Sequence, residues 1–163
     1  MGETEPDIQS LYPDHFALCY GCGRLNERGY QLKTRLDGDE TVTRFTPAHY
    51  HTAISGFVYG GLLASVIDCH STATGAAALY RAEGRRLDDG GPAHRCVTGT
   101  LAVRFRRPTP LGPELVVRGR VTSVEGRRVS VASRVEIGGD VVVEGEAVVI
   151  EVPEGFGAAA ELT

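Results

Sequence analysis

The sequence predicts an α+β domain in which one long helix lies against an antiparallel sheet. Three observations predict it. A proline-free, Ala- and Leu-rich run, "GGLLASVIDCHSTATGAAALYRA" over residues 60–82, is the one convincing helix. Downstream, stretches of chain alternate apolar and polar residues with period two, the pattern of half-buried strands. Glu125-Gly126 and Gly138-Gly139 are short links suited to antiparallel hairpins. Helix and strands are segregated along the chain, which defines the class. The helix is apolar over most of its circumference, as expected of a helix wrapped by a sheet. A chain of 163 residues fits one domain.

Residues 1–17 read as a loosely packed N-terminal arm, 18–153 as the domain and 154–163 as a C-terminal tail. Glycines 21, 23 and 29 mark turns. Residues 30–46 form two extended pieces around the turn pair Asp37-Gly38, ended by Pro47. Residues 48–60 are loop-like, and Gly84 stops the helix. Four strands follow. In the first, Val97, Leu101, Val103 and Phe105 are expected on one face. In the second the inward set is Leu115, Val117 and Val121, and in the third Val129, Val131, Val135 and Ile137. The fourth, residues 140–152, is Val-rich and apolar on both faces.

Composition removes several function classes. A net charge of −4 and the absence of Trp argue against a nucleic-acid partner. The longest apolar stretch, residues 62–79, contains Ser65, Asp68, His70 and several Thr, so no membrane span is expected. The opening "MGETEPDIQSLYPD" has no basic-apolar targeting pattern, and the expectation is a soluble cytoplasmic protein. Four cysteines do not make a disulfide scaffold.

The feature that asks for an explanation is Asp68, an acid inside the apolar helix. Burying a carboxylate is costly unless it is paired or hydrogen-bonded. Positions 61, 65, 68, 72 and 75 share one helical face and hold Gly61, Ser65, Asp68, Thr72 and Gly75, a narrow stripe suited to close approach by a ligand or another chain. At the helix start, Gly60 and Gly61 leave backbone N–H groups open to a substrate carbonyl, where the dipole is positive. One such donor is worth on the order of 10²–10³ in rate. Asp68, about two turns on, is placed to attack the carbonyl carbon or to activate a water. The plainer reading, a turn followed by a solvent-exposed Asp, fits the spacing too.

Other candidates have plainer readings as well. Cys19-x-x-Cys22 with Cys69 and His70 is formally a four-ligand zinc set. A second Cys-x-x-Cys is missing and Cys69-His70 are adjacent on a helix, so no metal and no cofactor are expected, and a glycine-rich turn with buried thiols is preferred. His70 reads as a packed or interface histidine. His49 and His51 lie in the loop before the glycines, near a ligand or simply at the surface. Arg106 and Arg107 carry the planar donor fork that suits phosphate, or are ordinary exposed arginines beside Pro108.

"GFVYGGLLASVID" resembles the G-x-x-H-G-G-x-x-x-x-x-x-D signature of hot-dog-fold thioesterases of the PaaI-like group. "CYGCGRLNERGYQLK" resembles the Cys-x-Gly-Cys-Gly opening of one branch of them, and "VTGTLAVRFRRPTPLG" their strand leading into Arg-Pro-x-Pro. The resemblance spans roughly residues 18–152. It implies a curved antiparallel sheet around a central helix, subunits joined edge to edge into a homodimer or homotetramer, and hydrolysis of acyl-CoA or related acyl thioesters. Asp68 becomes nucleophile or general base, Gly61 the oxyanion donor, and Thr72 a partner facing the opposite subunit. Tyr59, Gly60, Ser65, His51, Arg106 and Arg107 become substrate contacts. The family's His before the glycines is Tyr59 here, and its Asn six positions earlier aligns with Ala53, so His51 or Ser55 would supply the polar group. These departures keep a non-catalytic acyl-thioester binding or regulatory module as the alternative. A hot-dog hydratase or dehydratase has only His70 in its favour.

Overall fold

A computed structural model describes residues 5–158. The strands are β1 (Thr34–Asp37), β2 (Glu40–Phe45), β3 (Cys96–Phe105), β4 (Leu115–Glu125), β5 (Arg128–Ile137) and β6 (Asp140–Glu151), with one helix, α1 (Gly60–Ala82), between β2 and β3. They form a single antiparallel, curved sheet in the order β1-β2-β4-β5-β6-β3, and α1 lies across its concave face. Turns fall where the sequence puts them, with Gly38, Gly126, Gly138 and Gly139 all at positive φ. No helix among the described residues is long and apolar enough to cross a membrane.

The core forms where the inward-pointing strand residues meet the helix. Leu62, Val66 and Ile67 pack on Leu115, Val117, Val135 and Val143. Further along, Ala78 and Leu79 pack on Cys96, Val129, Val131 and Val149. Each fully buried Val, Leu or Ile contributes about 1.5–3 kcal/mol. The fit is close: a side-chain carbon at Gly75 would lie 2.3 Å from Val149 Cγ2, so Gly75 lets the helix settle on β6.

His70 is fully buried in this interface. Its Nδ1 is 2.7 Å from Thr43 Oγ1 and its Nε2 3.1 Å from Thr41 Oγ1, and Thr41 also meets Thr74 Oγ1 at 2.6 Å. Burial pushes the imidazole pKa down to about 3, so it is neutral, with one nitrogen donating and one accepting. Of the two readings of His70, packed or interface, the first holds within the chain.

Two expectations are corrected. The N-terminal segment is not loosely packed over its described part. Ile8, Tyr12 and Phe16 are buried against Ala73, Ala76, Ala77 and Tyr80, covering a side of α1 that the sheet leaves open. Asp7 caps a short 3-10 turn at Ile8–Leu11 through the Ser10 N–H at 3.0 Å, and Gln9 bonds Thr34 of β1 through both its amide nitrogen and its amide oxygen. The first four residues of that expected arm, and the last five of the expected tail, lie outside the described residues.

The second correction concerns β3. Thr98 and Thr100 stand opposite Val149 and Val148, so Gly99 is an extra residue, a β-bulge. The bulge reverses the alternation. Cys96 and Thr98 face the helix, Val97 is 39% exposed, and inward pointing resumes with Val103. β3 is also an edge strand, ten residues long, with Leu101 and Phe105 exposed.

If residues 5–17 are part of the core, Ile8→Ala lowers the unfolding free energy in urea by about 2–5 kcal/mol. A loosely packed arm would give less than about 0.5 kcal/mol, the range of an ordinary surface substitution.

Candidate active site

The start of α1 is held by the loop before it. The Tyr59 N–H donates to His51 O at 3.0 Å, and the Val58 N–H to Thr109 O at 2.8 Å. Tyr59 occupies the N-cap position in an extended conformation, without a side-chain cap. Within the helix the first acceptor is Tyr59 O, which takes the Leu62 N–H at 3.1 Å. The Gly60 and Gly61 N–H groups therefore have no acceptor among the described residues, and they carry the positive end of a 23-residue helix. Tyr59 folds its ring over Gly61, where a side-chain carbon would lie 2.5 Å from the ring. Phe105 of β3 reaches Gly60 from the other side.

An apolar cavity of about 470 Å³ opens at this end of the helix, walled by Ile54, Phe57, Leu63 and Phe105 beside Gly60. Arg106 and Arg107 lie on its wall. Arg106 Nε donates to Glu144 Oε2 at 2.7 Å, and Arg107 stands 3.8 Å from Asp140. Both arginine side chains are more than half exposed, so each is free to leave its partner for a stronger anion. The His51 ring accepts the Ala48 N–H on Nδ1 at 2.9 Å and sits among Tyr30, Phe45 and Tyr50. Burial among these rings lowers its pKa, favouring the neutral form. Its main chain, through Tyr59, is what the structure brings to the glycines.

Asp68 is half-buried, and one of its carboxylate oxygens accepts from the Thr98 hydroxyl of β3. The buried acid thus has the partner it needs. Sequence reasoning missed Thr98 because period two, without the bulge, sends it to the outer face. The glycine interrupting "VTGTLAV" was the available signal.

The small-residue stripe splits in two. Gly61, Ser65 and Asp68 are half-exposed, and Ser65 donates to Gly61 O at 2.9 Å. Thr72 is buried and donates to Cys69 O at 3.0 Å, while Gly75 lies against β6. Only the first half is open to a ligand or another chain. Seven residues of α-helix also separate Gly61 from Asp68 by about 10 Å along the axis. Atoms that react on one carbonyl must stand about 3–3.5 Å from it. The N–H groups and the carboxylate of one chain therefore do not both make direct contact with one carbonyl.

Comparison with known proteins identifies the family and the fold. The family model described as the thioesterase superfamily matches residues 55–144, which run from the loop before α1 into β6. The acyl-coenzyme A thioesterase THEM4 of Xenopus laevis is 30% identical over 106 residues, covering 65% of this chain and 41% of that protein. The chain thus spans about two-fifths of the length of that curated relative. A solved thioesterase superfamily protein from Shewanella loihica PV-4 is 35% identical, covers 78% of this chain and 96% of its own, and superposes with a TM-score of 0.64. The PaaI protein of the E. coli phenylacetic acid degradation operon shares the fold, with a TM-score of 0.61 at 14% identity over 76% of this chain and 81% of its own. The sheet wrapped on α1 is the hot-dog fold, and the chain belongs to the thioesterase superfamily.

Proposed function

We propose that the protein hydrolyses acyl-CoA or related acyl thioesters at a site shared by two copies of the chain. The observation that carries this reading is the position of Asp68. It is half-exposed and tied through Thr98 to β3, the long edge strand with no neighbour on its outer side among the described residues. An uncovered ten-residue edge with exposed Val97, Leu101 and Phe105 invites pairing. Two copies joined through β3 by a two-fold axis normal to the sheet place both helices on one face, running antiparallel. The start of one helix then faces the middle of the other, which removes the 10 Å obstacle within a single chain.

In this reading the thioester oxygen accepts from the Gly61 N–H, with Gly60 beside it, and the dipole of α1 stabilises the oxyanion as it forms. Asp68 of the other copy takes a proton from water while the water oxygen bonds to the carbonyl carbon. Collapse breaks the C–S bond, and the departing thiolate takes the proton back from Asp68. Direct attack by Asp68 would instead pass through an acyl anhydride that water then opens, and oxygen-18 in the Asp68 carboxylate after one turnover identifies that route. Thr98 positions the carboxylate. Tyr59 and the cavity beside Gly60 hold the acyl thioester, with Arg106 and Arg107 toward the CoA phosphates. Ser65 lines the open half of the stripe, the His51 main chain fixes the entry to α1, and Thr72 steadies the helix between the copies. Four free cysteines fit a reducing compartment, and we assign the protein to the cytoplasm on that ground.

A non-catalytic binding module is the second reading, favoured by the Tyr59 ring packed against Gly61 where the family signature has His. Thiol release from an acyl-CoA panel separates the two. Wild type turns over at least one chain length and Asp68→Asn loses about 10²–10⁴-fold in kcat. Tight binding without turnover establishes the module. A wild type inert on every acyl-CoA and on acyl carrier protein thioesters, with no binding, overturns both.

Thr98→Val keeps the shape and removes the donor. It lowers kcat about 10–100-fold with KM nearly unchanged, as a misaimed carboxylate should.

Mixing two inactive variants, Asp68→Asn and Gly61→Val, under subunit exchange tests the shared site. Half of the dimers are then hybrids with one intact site each, restoring about a quarter of wild-type activity. No recovery despite verified exchange would mean that each chain carries its own site.

A further inference from the structure

Three thiols that the proposed hydrolysis does not use converge beside the helix. The sulfurs of Cys19, Cys22 and Cys69 all lie within 4.8 Å of one another, and Cys19 Sγ is 3.8 Å from Cys69 Sγ. Tetrahedral zinc holds thiolates at about 2.3 Å, which sets neighbouring sulfurs about 3.8 Å apart. The observed spacing is therefore that of a zinc site or a small contraction away from it.

The turn that carries two of the thiols is shaped for this convergence. The Gly23 N–H closes it onto Cys19 O at 2.7 Å. A side-chain carbon at Gly21 would lie 2.2 Å from Cys69 Sγ, so the turn is pressed onto the helix at the third sulfur. Arg95 lies where the charge of these thiols acts on it, and its guanidinium sits 4.8 Å above the Tyr12 ring. Among the described residues Arg95 makes no ion pair, and its guanidinium donates to Cys96 O. Zinc with three thiolates has a net charge of −1, and Arg95 supplies the counter-charge. His70 is not part of the set, since both its ring nitrogens face threonines of β2.

We propose that Cys19, Cys22 and Cys69 form a zinc(II) site that clasps the 19–23 turn to α1 next to Asp68. This replaces the expectation, drawn from the sequence, that the chain takes no metal. The ligands bind as thiolates, so zinc entry releases thiol protons to solvent. Cys22 and Cys69 are buried and Cys19 half-exposed, so solvent reaches the cluster at Cys19, where a water completes four-coordination.

The test is metal content of the full chain, purified anaerobically under reductant and reconstituted with zinc(II), alongside spectra of the cobalt(II)-substituted protein. Wild type is expected to hold one zinc per chain, and its cobalt form to show thiolate-to-metal charge transfer with tetrahedral ligand-field bands. Cys69→Ser and Cys22→Ser lower zinc content at least about tenfold and lose those bands. Cys19→Ser, at the half-exposed position, reads the same loss where the buried variants fail to fold. Cys96→Ser, a buried thiol outside the cluster, keeps its zinc. A chelator lowers the melting temperature of wild type and leaves that of Cys19→Ser unchanged. The proposal is overturned by fewer than about one zinc per ten reconstituted wild-type chains. Cobalt spectra without thiolate bands, loss of zinc in Cys96→Ser equal to that in Cys69→Ser, or a disulfide within the trio of the anaerobic protein also overturn it. Metal content is read without any turnover, so this result stands or falls apart from thioester hydrolysis.

Discussion

A helix that is apolar on nearly every side must be enclosed, and the rest of this molecule is arranged around enclosing α1. One curved sheet covers the face bearing Val66, Ile67 and Gly75. Residues 8–16 cover the flank bearing Ala73, Ala76 and Tyr80. What remains is the short strip of Gly61, Ser65 and Asp68, half-exposed and lying toward the edge strand β3. The hydrophobic effect has no directional preference, so an unenclosed strip survives only where small or polar residues make exposure tolerable. Those residues are the ones with chemistry to offer. Incomplete burial of the helix and the place of the candidate site are one fact seen twice.

The parts of this design governed by local chemistry were legible in the sequence. A proline-free apolar run ending near a glycine gave a helix over 60–82, and glycine pairs between alternating stretches gave the hairpins. The phase of Asp68 with Gly61 and Ser65 was legible for the same reason, because helical periodicity is local. The parts that depend on neighbours distant in the chain were not. Thr72 and Gly75 share the phase of Asp68, yet β6 lies against Gly75 and closes that half of the stripe. Ile8, Tyr12 and Phe16 are spaced at four, a weak amphipathic signal, and only the uncovered flank of α1 gives it meaning. Gly99 is a single residue whose insertion reverses which side of β3 faces the helix, and Thr98 is found only once that reversal is known.

The cysteines show the same division. Cys19-x-x-Cys22 is visible as a pattern, but its third member is supplied by the helix, fifty residues away and next to the acid. Adjacent Cys69 and His70 looked unsuited to joint chelation, and they do part company. The thiol points to the N-terminal turn and the imidazole to β2.

That imidazole settles a matter hydrophobicity leaves open. A cylinder greasy on most sides takes only part of its rotational register from packing, chiefly where Gly75 fits against β6. His70 supplies the rest. Only one roll angle lets its two nitrogens meet Thr43 and Thr41 while Thr74 meets Thr41. Any other leaves buried polar atoms unpaired, at about 1–3 kcal/mol each. Asp68, two residues earlier on the same rigid rod, inherits that angle. A polar lock that touches no substrate thus sets the aim of the carboxylate.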